Sequence, residues 1–369
     1  MKIHSNFDGG NISVSLNADL VLLHIQKDNA ADFSQWFYFR ASNLPKIESH
    51  FCIDNAGESS YPKGWENYAV RVSEDQEHWF CCPTKYIDGN LHFSYIPQSN
   101  TAWFAYFAPY SLERHQQLLI AAQQGGALLH CLGESLDGYP MDLLTIGSGE
   151  KKIWIVARQH PGETMAEWWM EGFLARLIAE DDSLSKSLLS KATFFLVPNM
   201  NPDGSQRGNL RTNACGANLN REWPEPTMER SPEVFLIREA MKKTGVDLCL
   251  DVHGDEGLPY NFIAGLEGIP SLHPKLLELQ AQYEQHLITV CPDFQQEFGY
   301  DKDEPGTANL SMCSNYVAEE FNCLALTIEQ PFKDVAYAPN ELTGWSPERA
   351  KSFGACNIDA IAAVIDDLR

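Results

Sequence analysis

The residues best equipped for chemistry follow an apolar strand: Arg158-Gln159-His160-Pro161-Gly162-Glu163-Thr164. A histidine and a carboxylate three residues apart can chelate one metal ion from a tight turn or a first helical turn. Pro161 and Gly162 shape that turn and let the backbone approach closely. A third ligand must come from elsewhere. His253 is placed for it, at the end of a hydrophobic strand in Asp251-Val252-His253-Gly254-Asp255. Two imidazoles and a carboxylate, with no cysteine nearby, suit a catalytic zinc that leaves one position open for water. His-x-x-Glu alone recurs by chance, and a surface turn with an incidental histidine reads the same way. Other histidines, such as His115 on a helix and His92 on a strand, stand in no motif.

Further polar segments also follow apolar strands. Asn199-Met200-Asn201-Pro202-Asp203-Gly204 reads as a Pro-Asp-Gly turn, which needs no function. The stretch from Gly208 to Trp223 puts Arg211 and Arg221 among asparagines and glycines. Guanidinium groups in such a loop suit carboxylates and oxyanions, while surface ion pairs are the plainer alternative. Glu329 closes the strand of Leu326-Thr327-Ile328-Glu329. Taken alone, it reads as a buried structural carboxylate.

The elements that carry these residues change character along the chain. Up to about residue 110 the pattern is β. Gln35–Arg40 and Thr101–Phe107 are aromatic runs, and Leu91–Ile96 alternates with period two. Turn clusters at 8–11 and 88–90 separate them, which predicts a small antiparallel sandwich. Ser111 can cap a helix through Leu119, so we place a domain boundary near Pro109–Ser111, giving units of 1–110 and 111–369. Beyond it, strands at Ile153–Ala157, Phe194–Pro198, Leu248–His253 and Leu324–Glu329 alternate with helices at Thr164–Ile178 and Ser346–Leu368. The expected class is α/β, with a buried and mixed sheet flanked by helices. In open α/β sheets functional groups gather beyond strand ends, which is where the motifs lie.

Composition narrows the function. The 369 residues are 44% apolar and 21% charged, enough for a large core, and carry a formal net charge of −23. Such a surface repels phosphate backbones and anionic lipid, which argues against nucleic-acid and membrane-surface roles. No apolar run reaches the length of a membrane span, and the first eight residues lack a secretory h-region. A cytoplasmic setting is expected, with the ten scattered cysteines as buried reduced thiols.

In combination, His160-Pro161-Gly162-Glu163, Asn201-Pro202-Asp203-Gly204, Arg211, Asn220-Arg221-x-Trp223, the strand-end His253 and the late Glu329 resemble the zinc carboxypeptidase family. The order is kept over nearly the whole chain. The aromatic-rich start and the Tyr110-Ser111 boundary are similar to the cytosolic carboxypeptidase branch, which carries an N-terminal β-sandwich. The resemblance implies one zinc ion per chain on His160, Glu163 and His253, with Glu329 as general base and Arg211 on the oxyanion. It implies Asn220 and Arg221 on the terminal carboxylate of a peptide or protein substrate, with Tyr300 capping that substrate.

Two positions depart from the family pattern. Asn218 stands where many relatives have an aspartate backing a zinc histidine, and Asp251 or Asp255 are candidates to compensate. Asn309 stands where branch members that trim acidic tails carry an arginine, which argues against glutamate as the residue removed. Two other functions fit the same scaffold. One is an amidohydrolase of acylated amino acids or cell-wall peptides, which assays on such amides would reveal. The other is an inactive binding module, which a metal-free purified protein would reveal. Nothing in the sequence fixes the oligomeric state.

Overall fold

A computed structural model of the chain describes residues 1–17 and 20–369. The N-terminal part forms two five-stranded sheets. One has the order β1 (Lys2–His4), β4 (Tyr38–Ser42), β10 (Thr101–Ala105), β6 (Arg71–Ser73) and β7 (Phe80–Cys81). The other has the order β2 (Ser13–Asn17), β3 (Leu20–His24), β5 (Ser49–Ile53), β9 (Asn90–Tyr95) and β8 (Thr84–Ile87). Pairing is antiparallel as expected except between β3 and β5, which run parallel with Val21 opposite Phe51. Their shared core is aromatic: Phe39 stacks on Phe104 at 5.2 Å and Phe51 on Phe93 at 5.0 Å. Each buried ring of this kind is worth about 1.5–3 kcal/mol.

The aromatic run at 35–40 is strand only in its second half, since Gln35, Trp36 and Phe37 precede β4. These side chains are buried for other reasons. The Trp36 indole donates to the Gly9 carbonyl, and the Gln35 amide bridges Tyr61 and Tyr106. Aromatic richness here marks burial, with ladder pairing in only part of the run.

The second part is built on one seven-stranded mixed sheet, in the order β11 (Leu128–Glu134), β12 (Pro140–Gly147), β14 (Ala192–Val197), β13 (Lys151–Ala157), β15 (Leu248–Val252), β17 (Leu324–Glu329) and β16 (Phe262–Ala264). The four central strands are parallel, while β11, β12 and β16 join antiparallel. The central strands are near-continuous apolar runs because helices cover their faces. Ser111 caps α1 (Leu112–Gln124) by accepting from the Arg114 amide. The other helices are α2 (Met165–Leu177), α3 (Ser183–Lys191), α4 (Pro202–Arg207), α5 (Pro232–Thr244), α6 (Pro274–Val290), α7 (Cys313–Phe321) and α8 (Pro347–Val364). Helices α2 and α8 cross closely. A Cβ at Gly354 would lie 2.0 Å from the Trp169 carbonyl, so only glycine fits there. The Pro-Asp-Gly turn proves to be α4, a short helix whose N-cap Asn201 accepts from the Gly204 amide.

The two parts are joined through buried contacts. Tyr106 stacks on Phe332 at 4.3 Å. Arg71, 2% exposed, donates to the Phe332 and Trp345 carbonyls. All ten cysteines are free, and Cys131 and Cys215 are exposed rather than buried. Among the described residues no helix is long and apolar enough to cross a membrane.

Parallel register decides where the polar motifs meet. Ala157 pairs with Val252, and Val252 with Ile328, so β13, β15 and β17 end side by side. The residues that follow these ends open onto one place.

Candidate active site and metal centre

The chain leaves β13 through Arg158, which adopts a left-handed backbone with φ 58°. Its guanidinium holds the turn together by donating to the carbonyls of Pro161 and Tyr110 and to the Glu167 carboxylate. Gly162 presses on the neighbouring loop. Its amide donates to the Leu210 carbonyl at 2.9 Å, and a Cβ would meet that same oxygen. The turn thereby brings His160 and Glu163 to one side. His253 leaves β15 with its amide donating to the Ile328 carbonyl.

Glu163 lies between the two imidazoles, with Oε1 2.7 Å from His160 Nδ1 and Oε2 2.8 Å from His253 Nδ1. One ligand atom from each of the three residues falls within 4.8 Å of the others, and all three are buried. The far nitrogens are backed by oxygens. His160 Nε2 lies 3.1 Å from Asn218 Oδ1, and His253 Nε2 lies 3.0 Å from Asp251 Oδ2. Such partners take the Nε2 proton and leave Nδ1 free to bind a cation. Asn218 presents its oxygen because that same atom also accepts from the Asn220 amide.

The charges suit a divalent ion. Burial and the nearby Arg211 push the His160 imidazole down to about 4, so it stays neutral. Burial opposes a charge on His253, yet Asp251 and Glu163 on either side hold it well above the usual range. Burial alone would raise Glu163, but the two imidazoles bring it below the usual carboxylate range. The pocket draws positive charge to itself, and its donor set is that of a catalytic zinc.

Glu329, at the end of β17, stands beside this group. Its Oε1 accepts from the Tyr300 hydroxyl at 3.2 Å, while Oε2 is buried without a hydrogen-bond partner. Burial raises its carboxyl well above 4.5, and Glu163, Asp255 and Glu256 add to the rise against the pull of His253. A carboxylate with one oxygen left over and a raised proton affinity is equipped to accept a proton.

These groups line one cavity of about 650 Å³, together with Arg211, Asn220, Arg221 and Tyr300. The Arg211 guanidinium lies 5.7 Å from the ring centroids of Phe33 and of Tyr61. Among the described residues neither Arg211 nor Arg221 forms an ion pair with a carboxylate, and the Arg221 guanidinium donates to the Asn220 carbonyl. Arg221 is instead held below its usual range by burial and by Arg211. The Asn220 side chain is already engaged, accepting from the Cys313 amide and lying 3.3 Å from His253 Nε2. Tyr300 donates to Asp255 Oδ2 at 2.7 Å as well as to Glu329. Asn309 stands apart. It lines a second cavity of about 370 Å³ that shares Tyr300 and Met312 with the first.

The structure adds residues that the motifs did not reveal. Gln159 ties Trp223 to the Asp251 carboxylate. Its position beside His160 was the only hint in the sequence. Glu256 is buried in the cavity wall three residues after His253. Of the two aspartates considered as compensation for Asn218, Asp251 backs the other histidine and Asp255 engages Tyr300. His115 proves to be a core residue between Glu167 and Asp142.

A buried His-Glu-His group beside a carboxylate oxygen without a partner and two arginines without carboxylate partners is the equipment of a metal-dependent hydrolase of carbonyl substrates. Similarity to known proteins agrees. The family described as cytosolic carboxypeptidase N-terminal domain matches residues 3–107, and that described as zinc carboxypeptidase matches residues 121–341. An uncharacterized protein of Zymomonas mobilis is 51% identical over 370 residues, spanning 100% of this chain and 97% of its own. A metallo-carboxypeptidase from Pseudomonas aeruginosa, solved in complex with (2-guanidinoethylmercapto)succinic acid, is 43% identical with a TM-score of 0.97 over 100% of both chains. Mouse cytosolic carboxypeptidase 3 is 27% identical over 90% of this chain, which spans 37% of the mouse protein. The chain belongs to the zinc carboxypeptidase family. It is a metallocarboxypeptidase, and the similarities favour neither the amidohydrolase nor the binding module.

Proposed function

We propose that this enzyme holds one zinc ion on His160, Glu163 and His253 and removes single residues from the C-termini of peptides or proteins. The observation that carries the reading is the gathering of the three ligands, Glu329 and two unpaired arginines in one cavity. Zinc supplies Lewis acidity there, acidifying water and polarising the scissile carbonyl. Glu329 Oε2 takes the proton of the attacking water as its oxygen bonds the carbonyl carbon. It then gives that proton to the amine as the carbon–nitrogen bond breaks. Arg211 faces the oxyanion formed on the carbonyl oxygen. Arg221, assisted by Asn220, pairs with the substrate's α-carboxylate in a fork-to-fork contact, which restricts cleavage to the chain end. Tyr300 closes over the bound residue. Residues 1–110 and 111–369 are the two domains of this reading, and the cytoplasm is its setting.

The residue removed is a cationic one. The cavity beyond Tyr300 is lined by Glu267, Glu284, Glu297, Asp301 and Asp303. The one cation among the described lining residues, Lys302, has a side chain 78% exposed and pairs with Glu267. Asn309 adds no charge. A glutamate side chain would meet repulsion there, whereas lysine or arginine would find partners. The guanidino compound bound by the Pseudomonas relative supports the same preference.

Peptides identical except for a C-terminal Lys, Arg, Ala, Phe or Glu test this reading. The account expects single-residue release, fastest for Lys and Arg and slowest for Glu. Fastest release of Glu would overturn the side-chain preference. Cleavage of N-acyl amino acids but of no peptide would replace the carboxypeptidase with the amidohydrolase.

A further inference from the structure

The loop that carries Arg211 is held from outside the second part of the chain. Asp28 lies in the connection between β3 and β4, is 4% exposed, and has no cationic partner among the described residues. Its carboxylate is satisfied by the Arg211 loop instead. Oδ1 accepts from the Leu210 amide at 2.6 Å. Oδ2 accepts from the Arg211 amide, the Thr212 amide and the Thr212 hydroxyl, each at 2.9 Å. Burial raises this carboxyl above 3.8, and the three amides and the hydroxyl counter that rise.

The surrounding packing is as tight. Asn29 accepts from the Asn209 side chain and donates to the Ala214 carbonyl. Gly216, at φ +83°, lies so close to Ala30 that a Cβ would fall 2.3 Å from its carbonyl oxygen. Asn11 donates to the Gly208 carbonyl. Phe33 and Tyr61, also from the N-terminal part, put their rings against the Arg211 guanidinium.

We propose that Asp28 is a positioning residue for the reaction: it gathers the amides of residues 210–212 so that Arg211 points at the carbonyl oxygen under attack, making the N-terminal sheets a working part of the active site. A charged acceptor that collects several amides is among the strongest ways to fix a backbone turn. A misplacement of about an ångström at an oxyanion donor can cost about 10²-fold in rate. The inference rests on Arg211 serving the oxyanion, as read above.

The test is a double-mutant cycle on the full-length zinc-loaded enzyme, with activity expressed per bound zinc. Asp28→Asn keeps the shape, but its amide group must face either Leu210 N–H or the Arg211 and Thr212 donors. Thr212→Val is the milder change and removes only the hydroxyl donor. Asp28→Asn is expected to lower kcat about 10–100-fold with KM nearly unchanged, and Thr212→Val about threefold. On an Arg211→Ala background both should change kcat less than about twofold. Equal losses with and without Arg211 would overturn the proposal, because a merely structural role does not depend on that side chain. Asp28→Asn with wild-type kcat would overturn it as well. If Arg211→Ala itself leaves kcat intact, the reading of Arg211 falls first, and the two failures are told apart.

Discussion

Asn218 offers a direct test of how the metal site is tuned. In this chain a neutral amide oxygen backs His160 at 3.1 Å, while a carboxylate backs His253 at 3.0 Å. Asn218→Asp would give both imidazoles an ionised partner. A hydrogen bond to a neutral acceptor contributes about 1 kcal/mol and one to a charged acceptor about 1.5–3 kcal/mol. The difference, about 1–1.5 kcal/mol, corresponds to about tenfold in zinc affinity. That agrees with the roughly 10–100-fold effects seen when such backing groups change. The Asn220 amide already donates to this oxygen and would help to hold the new charge. Asp251→Asn is the mirror experiment. It should weaken zinc binding by tenfold or more, because the same carboxylate also accepts twice from Gln159. Competition with a chromophoric chelator measures both affinities. If Asn218→Asp binds zinc no more tightly than the wild type, the argument that this oxygen tunes His160 is wrong.

Two further predictions concern a buried carboxyl in α5 and the wall of the active-site cavity. Glu233, at the start of α5, is buried without a cation, and burial pushes its carboxyl from 4.5 up to about 8. The folded chain keeps this proton up to about pH 8 and the unfolded chain releases it near pH 4.5, so stability is full below 4.5 and falls as pH rises toward 8. Each pH unit across that window costs about 1.4 kcal/mol at most. Glu233→Gln should therefore melt higher than wild type at pH 8, with the difference closing toward pH 5. A melting difference independent of pH would refute this. Tyr300→Phe removes the one hydroxyl that lies between Asp255 and Glu329 and should lower kcat/KM about tenfold with zinc content unchanged. Wild-type kinetics in that variant would remove Tyr300 from the site.

Much of the site was legible in the sequence because its signals are local. His160 and Glu163 share a turn, and His253 and Glu329 close apolar strands whose ends the structure aligns. The helix over Thr164–Ile178 and the strand over Leu324–Glu329 were readable for the same reason. Asp28 was not readable. It lies in a short polar stretch with no period, and its meaning comes from amides 182 to 184 positions away. Gln159 was hidden likewise, since its partners Asp251 and Trp223 are brought near only by the fold, whereas Asp251 is a candidate in the sequence and proves to back His253 rather than His160. Strand β11 was not readable because it lies at the sheet's edge, where solvent exposure breaks the apolar pattern.

Zinc content and peptide cleavage, measured together in wild type and Glu329→Gln, reach the centre of the account. Wild type should bind one zinc ion per chain and release one C-terminal residue at a time. Glu329→Gln should bind the same zinc with turnover lowered about 10³-fold or more. A variant that cleaves like wild type, or a wild-type enzyme that cleaves without bound metal, would contradict it.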